Sequence, residues 1–444
     1  MLYVNDILRE GKGVLLQGDS SLPISDFSKD TRTIKKGDVY VGIKGENFDG
    51  NKFYLDALEK GAIGCILDNI EELPDKYKDR FIIKVEDSLK CIQNLARYKR
   101  SLYNIPVIGI TGSVGKTSTK DMIYSVLKEK YKVLKTEGNN NNHIGLPLTI
   151  LRLKDEEIMI LEMGMNNLGE ISLLTSIAKP TIAVITNIGT AHIGNLGSRE
   201  NIMKAKLEIV EGLTGPLIVN NDNDMINNNL ERIKSLNEII TIGIDNKSDY
   251  MAYDIENNTF KIGKEEFTSP INNTAFIYNS LTAYVVGKLC DVDIKDIKKG
   301  IKNLELTGNR LEYKKSKCGA VIIDDTYNAS LDSIKSSLEI LTKEKGRKVA
   351  VIGDVLELGE YSPEIHKEIG KELLKSNLDY IVTIGNDTKY TDKYLEENNY
   401  HNINHFNKES DSYEFLNNLL KDGDIVLIKG SHGINLKNIV NNLI

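Results

Sequence analysis

The sequence predicts an α/β fold divided among three domains. Short apolar runs that end in Gly, Asn or Asp and give way to helical periodicity recur along the chain, among them "PVIGI", "IMILEMG", "TIAVITN", "AVIIDD", "KVAVIGD", "YIVTIG" and "DIVLIKG". That alternation is how parallel strands with crossover helices look in sequence. With 444 residues and 40% hydrophobic content, the chain exceeds what a single core usually serves. Two changes of texture, near "SLYNIP" and near "LTGNRLEYKKSKCG", mark the expected divisions.

Residues 1–104 hold shorter runs, "DVYVGI", "AIGCIL" and "FIIKV", between Gly-rich turns, and form the expected small α/β N-terminal domain. Pro106 then opens the first strand of a central domain expected over 105–312. The helix after that strand carries Met122, Ile123, Val126 and Leu127 on one stripe, with Lys120, Asp121 and Lys128 expected outside it. From 313 to 444, Lys-rich polar sequence precedes a fresh strand and a new series of strands and helices. The Asn-rich "EGNNNNHIG" and "NNDNDMINNN" read as loops, since Asn tolerates left-handed backbone.

Between "PVIGI" and its helix lies "TGSVGKTS". A strand, a Gly-bearing turn and a helix N-terminus gather several backbone N–H groups around one concave spot that suits a polyphosphate. Thr111, Gly112, Ser113, Gly115, Lys116, Thr117 and Ser118 make up this candidate nucleotide loop. Lys116 is placed to meet β and γ phosphates, and the Thr117 hydroxyl to ligate Mg²⁺. The strict phosphate-loop pattern is missed at its first position, which falls on Ile110 with Gly109 one residue early. "IMILEMGMNNLGE" ends a buried strand on Glu162, at the carboxyl edge where ligands sit in open sheets. A carboxylate there suits Mg²⁺, which prefers oxygen ligands. The next strand ends at Asn187, with His192 in the following loop and Lys206 on the helix beyond. Lys206 shares a stripe with Ile202, Ile209 and Val210 that would partly enclose its amine. Taken singly, His192 reads as a packing or surface residue and Lys206 as a solvated cation. Beside Glu162 and a phosphate loop, the His suits a second divalent ion.

"TGSVGKTS", "LEMG", "TNIGTAHI" and "KAKLEI", in that order, resemble the middle domain of the Mur ligases, ATP-dependent amide-forming enzymes of peptidoglycan precursor synthesis. The resemblance implies that Thr117 and Glu162 hold one Mg²⁺, that His192 helps hold a second, and that Lys206 is carbamylated by CO₂. Lys116, His192 and Lys206 are then the catalytic set. "SKDTRTIKKGDVYVGIKGENFDGNKFYLDALEKGAIGCIL" resembles the family's uridine-nucleotide-binding domain and implies Thr31, Arg32, Asp49 and Gly50 as substrate contacts. Without the family, "DTR" and "FDG" are ordinary turn signals. "DDTYNASLDSIKSSLEIL", "VIGDVLELGEYSPEIHKEIG" and "VLIKGSHGINL" resemble the Rossmann-like last domain of the dipeptide-adding branch. There Arg310, Asp325, Tyr327 and Asn328 would close over the ATP, and Asn279 of "AFIYNSLTAY" would lie near its adenine. The implied partners are UDP-N-acetylmuramoyl-tripeptide and D-alanyl-D-alanine, joined through an acyl phosphate. The chain departs from the family pattern at Asn140 and His143 in "NNNNHIG", at Leu331 in "NASLDS", and at His432.

Composition narrows the field. A net charge of -7 gives no basic field of the kind that neutralises a nucleic-acid backbone. Cys65, Cys91, Cys290 and Cys318 show no C-x-x-C spacing, so all four are expected in cores rather than at zinc or in disulfides. The first residues meet charge early and no stretch approaches ~20 apolar residues. A cytoplasmic protein without membrane insertion is therefore expected, and it is taken as a monomer. Two other readings of the loop are a related ligase with a different amine acceptor and a P-loop ATPase switch. The switch would hydrolyse ATP without consuming a carboxylate and would not need His192 and Lys206 near Mg²⁺.

Overall fold

The computed structural model describes residues 1–46, 48–308 and 310–444. Three sheets follow one another along the chain, joined by helices of the crossover kind. In the first, the strands run in the order Val14–Gln17, Phe81–Lys84, Gly64–Leu67, Val39–Gly42 and Phe27–Ser28. All neighbours there are parallel except the antiparallel pair at the Val14 edge. Val39–Gly42 and Gly64–Leu67 are buried throughout, which is why they read as unbroken apolar runs rather than alternating ones. Leu2–Tyr3 and Pro23–Ile24 form a separate two-stranded ribbon. The helix Ser88–Ser101 packs against Val4–Glu10 on one side and against Gly145–Leu151 and Glu170–Ala178 on the other. One amphipathic helix thus joins the first sheet to the second.

The second sheet orders its strands Glu265–Thr268, Thr259–Ile262, Tyr250–Glu256, Ile239–Gly243, Leu217–Asn220, Ile182–Ile185, Val107–Thr111, Ile158–Glu162 and Val133–Lys135. It is parallel from Val133 to Tyr250 and antiparallel only at the far edge. From Val107–Thr111 the chain goes out to Val133–Lys135, comes back to Ile158–Glu162, and then steps across to Ile182–Ile185 on the opposite side. The carboxyl end of Val107–Thr111 is therefore a topological switch point, where the loops diverge and leave a crevice.

The helix Lys116–Leu127 corrects one expectation. Lys120 and Asp121 are not on an outer, solvated face; each is 1% exposed. The helix lies between the sheet and a second layer made of Thr274–Leu289 and Ile294–Lys302, so it has no water-facing side at those positions. Its charges are paired inside the protein instead.

The third sheet runs Glu312–Lys315, Val321–Asp324, Ile425–Lys429, Lys348–Gly353, Tyr380–Ile384 and Ile403–Phe406, parallel apart from its first pair. It closes on the second through polar contacts. Asn273 Nδ2 donates to Ser336 O at 3.0 Å and to Glu339 at 2.9 Å. Gly194 N donates to Glu357 O at 3.1 Å, and the Tyr361 hydroxyl donates to Gly197 O. Cys65, Cys91 and Cys290 are buried as expected, whereas Cys318 is exposed, because it sits in the tight turn between Glu312–Lys315 and Val321–Asp324. Among the described residues, no helix is long and apolar enough to cross a membrane.

Candidate active site

The loop after Val107–Thr111 is shaped by its neighbour in the sheet. Asn187 clamps it: Ser113 N donates to Asn187 O at 3.1 Å, and Val114 N donates to Asn187 Oδ1 at 3.0 Å. Thr186 Oγ1 donates to Val114 O at 2.6 Å. Gly112 makes this approach possible, since a Cβ there would lie 1.9 Å from Thr186 Oγ1. With those two N–H groups engaged, the unclaimed donors are those of the first turn of Lys116–Leu127, which have no partner within the helix. Together with the helix dipole they form an anion site.

Glu162 ends its strand beside this turn at 1% exposure. Its Oε2 accepts from Thr117 Oγ1 at 3.2 Å. Its Oε1 makes no hydrogen bond, although the Lys120 ammonium stands 3.2 Å away. A buried carboxylate oxygen without a hydrogen bond, next to a hydroxyl and a phosphate-type loop, fits a divalent cation. No group of three or more His, Cys, Asp or Glu side chains forms a cage among the described residues. Mg²⁺ takes one or two protein oxygens and completes its shell with water and phosphate. Lys116 Nζ donates to Gly112 O at 2.7 Å. Burial lowers its pKa and the nearby Arg310 adds to that, while Glu162 opposes both.

His192 stands at the start of the short helix Ile193–Leu196 with φ +65°. Its Nδ1 is 2.7 Å from Glu357 Oε2 of the third sheet's loops, off the line of a well-formed hydrogen bond. The imidazole holds the Glu357 carboxyl below its ordinary range, against the opposing effect of burial. This contact leaves Nε2 as the nitrogen available to a ligand. Lys206 is 1% exposed, deeper than partial enclosure. Burial, and then the positive charge of Lys116, push its pKa well below that of an ordinary lysine.

One cavity of about 600 Å³ collects these groups. Ser113, Gly115, Lys116, Thr117, Ser118, Glu162, His192 and Asn279 line it from the second sheet, and Arg310, Asp325, Tyr327, Asn328, Glu357 and His432 from the other side. Thr111, Gly112 and Lys206 do not line it; Thr111 is fully buried in the sheet, and Lys206 is buried within reach of the Lys116 charge. Asn279 Oδ1 accepts from Thr119 Oγ1 at 2.8 Å, which turns the amide's other end toward the cavity. The Arg310 guanidinium lies 3.7 Å over the Tyr327 ring. Asp325 accepts from Lys429 Nζ at 2.5 Å and from Ser337 Oγ at 2.6 Å. Lys429 also donates to Asn328 O at 3.0 Å. Sequence reading missed Lys120, Lys429 and Glu357. The only local signal was a Lys or Glu next to an apolar run, which is the commonest pattern in any soluble chain.

The remaining candidates lie elsewhere. Asn140 and His143 are outside the cavity, while Asn139, Asn141 and Asn142 line it. Leu331 begins the helix Leu331–Lys343 at 9% exposure. Near the first sheet, Asp49 lines a second hollow of about 520 Å³ together with Lys44, Asp68, Glu86 and Asp87. Gly50 N donates to Ile43 O at 3.0 Å and Gly50 O accepts from Tyr40 at 2.7 Å, so this glycine is built into the turn. Thr31 and Arg32 line neither hollow; Arg32 is exposed and pairs with Asp30 at 2.7 Å.

His366 supports the loop that presents Glu357. It is fully buried, its Nε2 accepts from Val355 N at 3.1 Å, and its Nδ1 is 2.9 Å from Ser362 O. The Nε2 contact requires the neutral imidazole, and burial lowers the pKa of the ring, against the Nδ1–H bond to Ser362 O, which opposes that shift. The unfolded chain then binds the proton first as pH falls through about 6.5, so stability is lost from there down to the folded pKa. The melting temperature is expected to drop as pH falls below about 6.5, and part of that drop should vanish in His366→Gln. An unchanged pH slope in the variant would refute this.

A phosphate loop at a switch point, a buried carboxylate beside it and a second unit closing on the same cavity define a nucleotide-using α/β enzyme of several domains. Residues 110–287 match the Mur ligase middle domain, and residues 309–432 match the Mur ligase, glutamate ligase domain. The UDP-N-acetylmuramoyl-tripeptide--D-alanyl-D-alanine ligase of Bacillus subtilis is 36% identical over 95% of this chain and 93% of its own. That of Synechocystis is 34% identical over 95% and 92%. Among solved structures, MurF from Acinetobacter baumannii superposes with a TM-score of 0.89 at 28% identity, covering 99% of this chain and 98% of that one. MurF ligase from Thermotoga maritima in complex with ADP gives 0.79 at 30% identity, covering 94% and 96%. The chain belongs to the Mur ligase family and has its three-domain α/β architecture.

Proposed function

We propose that this protein is an ATP-dependent ligase that joins D-alanyl-D-alanine to UDP-N-acetylmuramoyl-tripeptide in peptidoglycan precursor synthesis. The observation that carries the reading is the single cavity shared by the phosphate loop and the third sheet's loops, since such a cavity can hold ATP and a second anion away from water. The likeness to the curated ligases over nearly the whole chain supports the choice of substrates.

The terminal carboxylate of the tripeptide attacks the γ-phosphorus of ATP and ADP departs, leaving an acyl phosphate. The amine of D-alanyl-D-alanine then attacks the acyl carbon, losing a proton, and inorganic phosphate leaves. Two anions must meet in the first step, so positive charge placed beforehand is the largest contribution the protein can make. Lys116 supplies it by leaving Gly112 O for the β and γ phosphates. Arg310, braced on Tyr327, approaches the same end of the cavity from the domain connection. Thr117 and Glu162 would hold one Mg²⁺, and His192 through Nε2 would help hold a second. Bound there, the ions draw charge from the phosphate oxygens as Lewis acids. Asp325, oriented by Lys429 and Ser337, and Asn328 close the far side and protect the acyl phosphate from hydrolysis.

Lys206 serves as a carbamate in this reading. Burial and the nearby Lys116 charge favour the unprotonated amine, the form that adds to the carbon of CO₂ and releases a proton. The product is an anion that attracts Lys116, where the ammonium repels it. Thr31, Arg32, Asp49 and Gly50 take the uridine nucleotide. The hollow at Asp49 is ringed by Asp68, Glu86 and Asp87, so the diphosphate faces Thr31 and Arg32 rather than that acidic wall. The enzyme acts as a cytoplasmic monomer.

Phosphate release from Mg-ATP should require both UDP-N-acetylmuramoyl-tripeptide and D-alanyl-D-alanine, and the product should have the mass of the pentapeptide. Release with ATP alone, indifferent to either substrate, would point instead to an ATPase switch.

A further inference from the structure

The helix behind the phosphate loop also grips the connection between the second and third sheets. Asp121 is buried, and its Oδ2 accepts from Thr307 N at 3.0 Å and from Thr307 Oγ1 at 2.7 Å. Its Oδ1 accepts from Lys135 Nζ at 3.0 Å, with Lys120 Nζ 3.5 Å away. One turn further along, Ser125 Oγ donates to Gly300 O at 2.8 Å and contacts Asn303 O at 3.2 Å. The connection is thus fastened as far as Thr307 and then changes character. Gly308 has φ +80° and Leu311 φ +50°, backbone states that mark the place where the chain turns toward the third sheet.

Arg310 lies inside that turn. Its guanidinium donates to Thr307 O at 3.0 Å and stacks on Tyr327, and its charge reaches Lys116 of the phosphate loop. The residue that fixes Thr307 therefore fixes where this guanidinium enters the cavity. A buried carboxylate held by two lysines is costly to assemble, and packing alone does not call for one here, since an apolar side chain would fill the same space.

We propose that Asp121 and Thr307 are positioning residues for Arg310: their clasp holds the stationary end of the domain connection so that the guanidinium meets the phosphate end of the cavity. This rests on the nucleotide contact proposed above for Arg310. Thr307→Val keeps the shape and the backbone N–H but deletes the hydroxyl bond to a charged acceptor, and should weaken binding of a non-hydrolysable ATP analogue about tenfold. Thr307→Ser should restore it. Arg310→Ala should weaken the same binding, and adding Thr307→Val to Arg310→Ala should change it no further, because one residue acts through the other.

Calorimetric titration of the wild type and the four variants, with melting curves beside it, decides the matter. Weakening by each single substitution without further loss in the double supports the clasp. Additive losses, or normal binding by Thr307→Val, overturn it and leave the Arg310 contact standing. Normal binding by Arg310→Ala removes that contact and the inference with it.

Discussion

Replacing Lys206 with Ala is expected to lower ligation by at least about a hundredfold while the protein stays folded. The side chain is 1% exposed, its pKa is depressed first by burial and then by Lys116, and no carboxylate offsets them. An unmodified ammonium in that position costs free energy at neutral pH. Its folded pKa lies below the unfolded one, so the penalty is complete below the folded value and disappears only above the ordinary lysine pKa of about 10.4. Ala leaves neither an ammonium nor a carbamate in the buried position, so no unpaired charge remains and the cost is that of the cavity left by the stem. Folding should therefore survive the substitution and chemistry should not. The second readout is the carbamate itself: wild-type protein in isotopically labelled bicarbonate should show a labelled carbamate carbon that the variant lacks. Near-normal turnover by Lys206→Ala would remove the carbamate from the mechanism.

Substituting Glu162 with Gln should shift the Mg²⁺ titration of activity at least about tenfold to higher concentration. Gln preserves the shape and the contact with Thr117, but takes the negative charge from a site that faces Lys120 at 3.2 Å and lies near Lys116. Breaking a buried pair in this way costs about 3 kcal/mol, so the melting temperature should fall as well. The two effects separate by direct measurement of Mn²⁺ binding in the folded variant. An unchanged metal titration would mean that Glu162 serves Lys120 alone and holds no metal.

The two outcomes bear on different parts of the cavity. Lys206 tests the buried lysine beside Lys116, and Glu162 tests the carboxylate at the strand end next to the phosphate-type loop. A protein that lost metal affinity with Glu162→Gln yet kept turnover with Lys206→Ala would retain the phosphate site and lose the dimetal reading.

By itself, the sequence determined the parallel strand series, the phosphate loop on the strand that ends at Thr111, and the carboxylate of Glu162 at the end of a neighbouring strand. These are legible because each is written within a dozen residues: an apolar run sets the strand, and the Gly-Lys-Thr turn sets the anion site. The sequence also grouped Lys206 with apolar neighbours, and the structure buries it there.

Tertiary structure alone decided what holds those groups. Asn187 clamps Ser113 and Val114 across more than 70 residues of chain, Glu357 reaches His192 from another domain, and Lys429 reaches Asp325 across more than 100 residues. Lys120 and Asp121 looked solvated because a helix with one apolar stripe normally shows its other face to water. A second layer of helices covers that face here, and buried charges then had to find each other. Periodicity reports which residues could face a core, whereas the partners of a buried charge depend on which distant segments the fold brings over it.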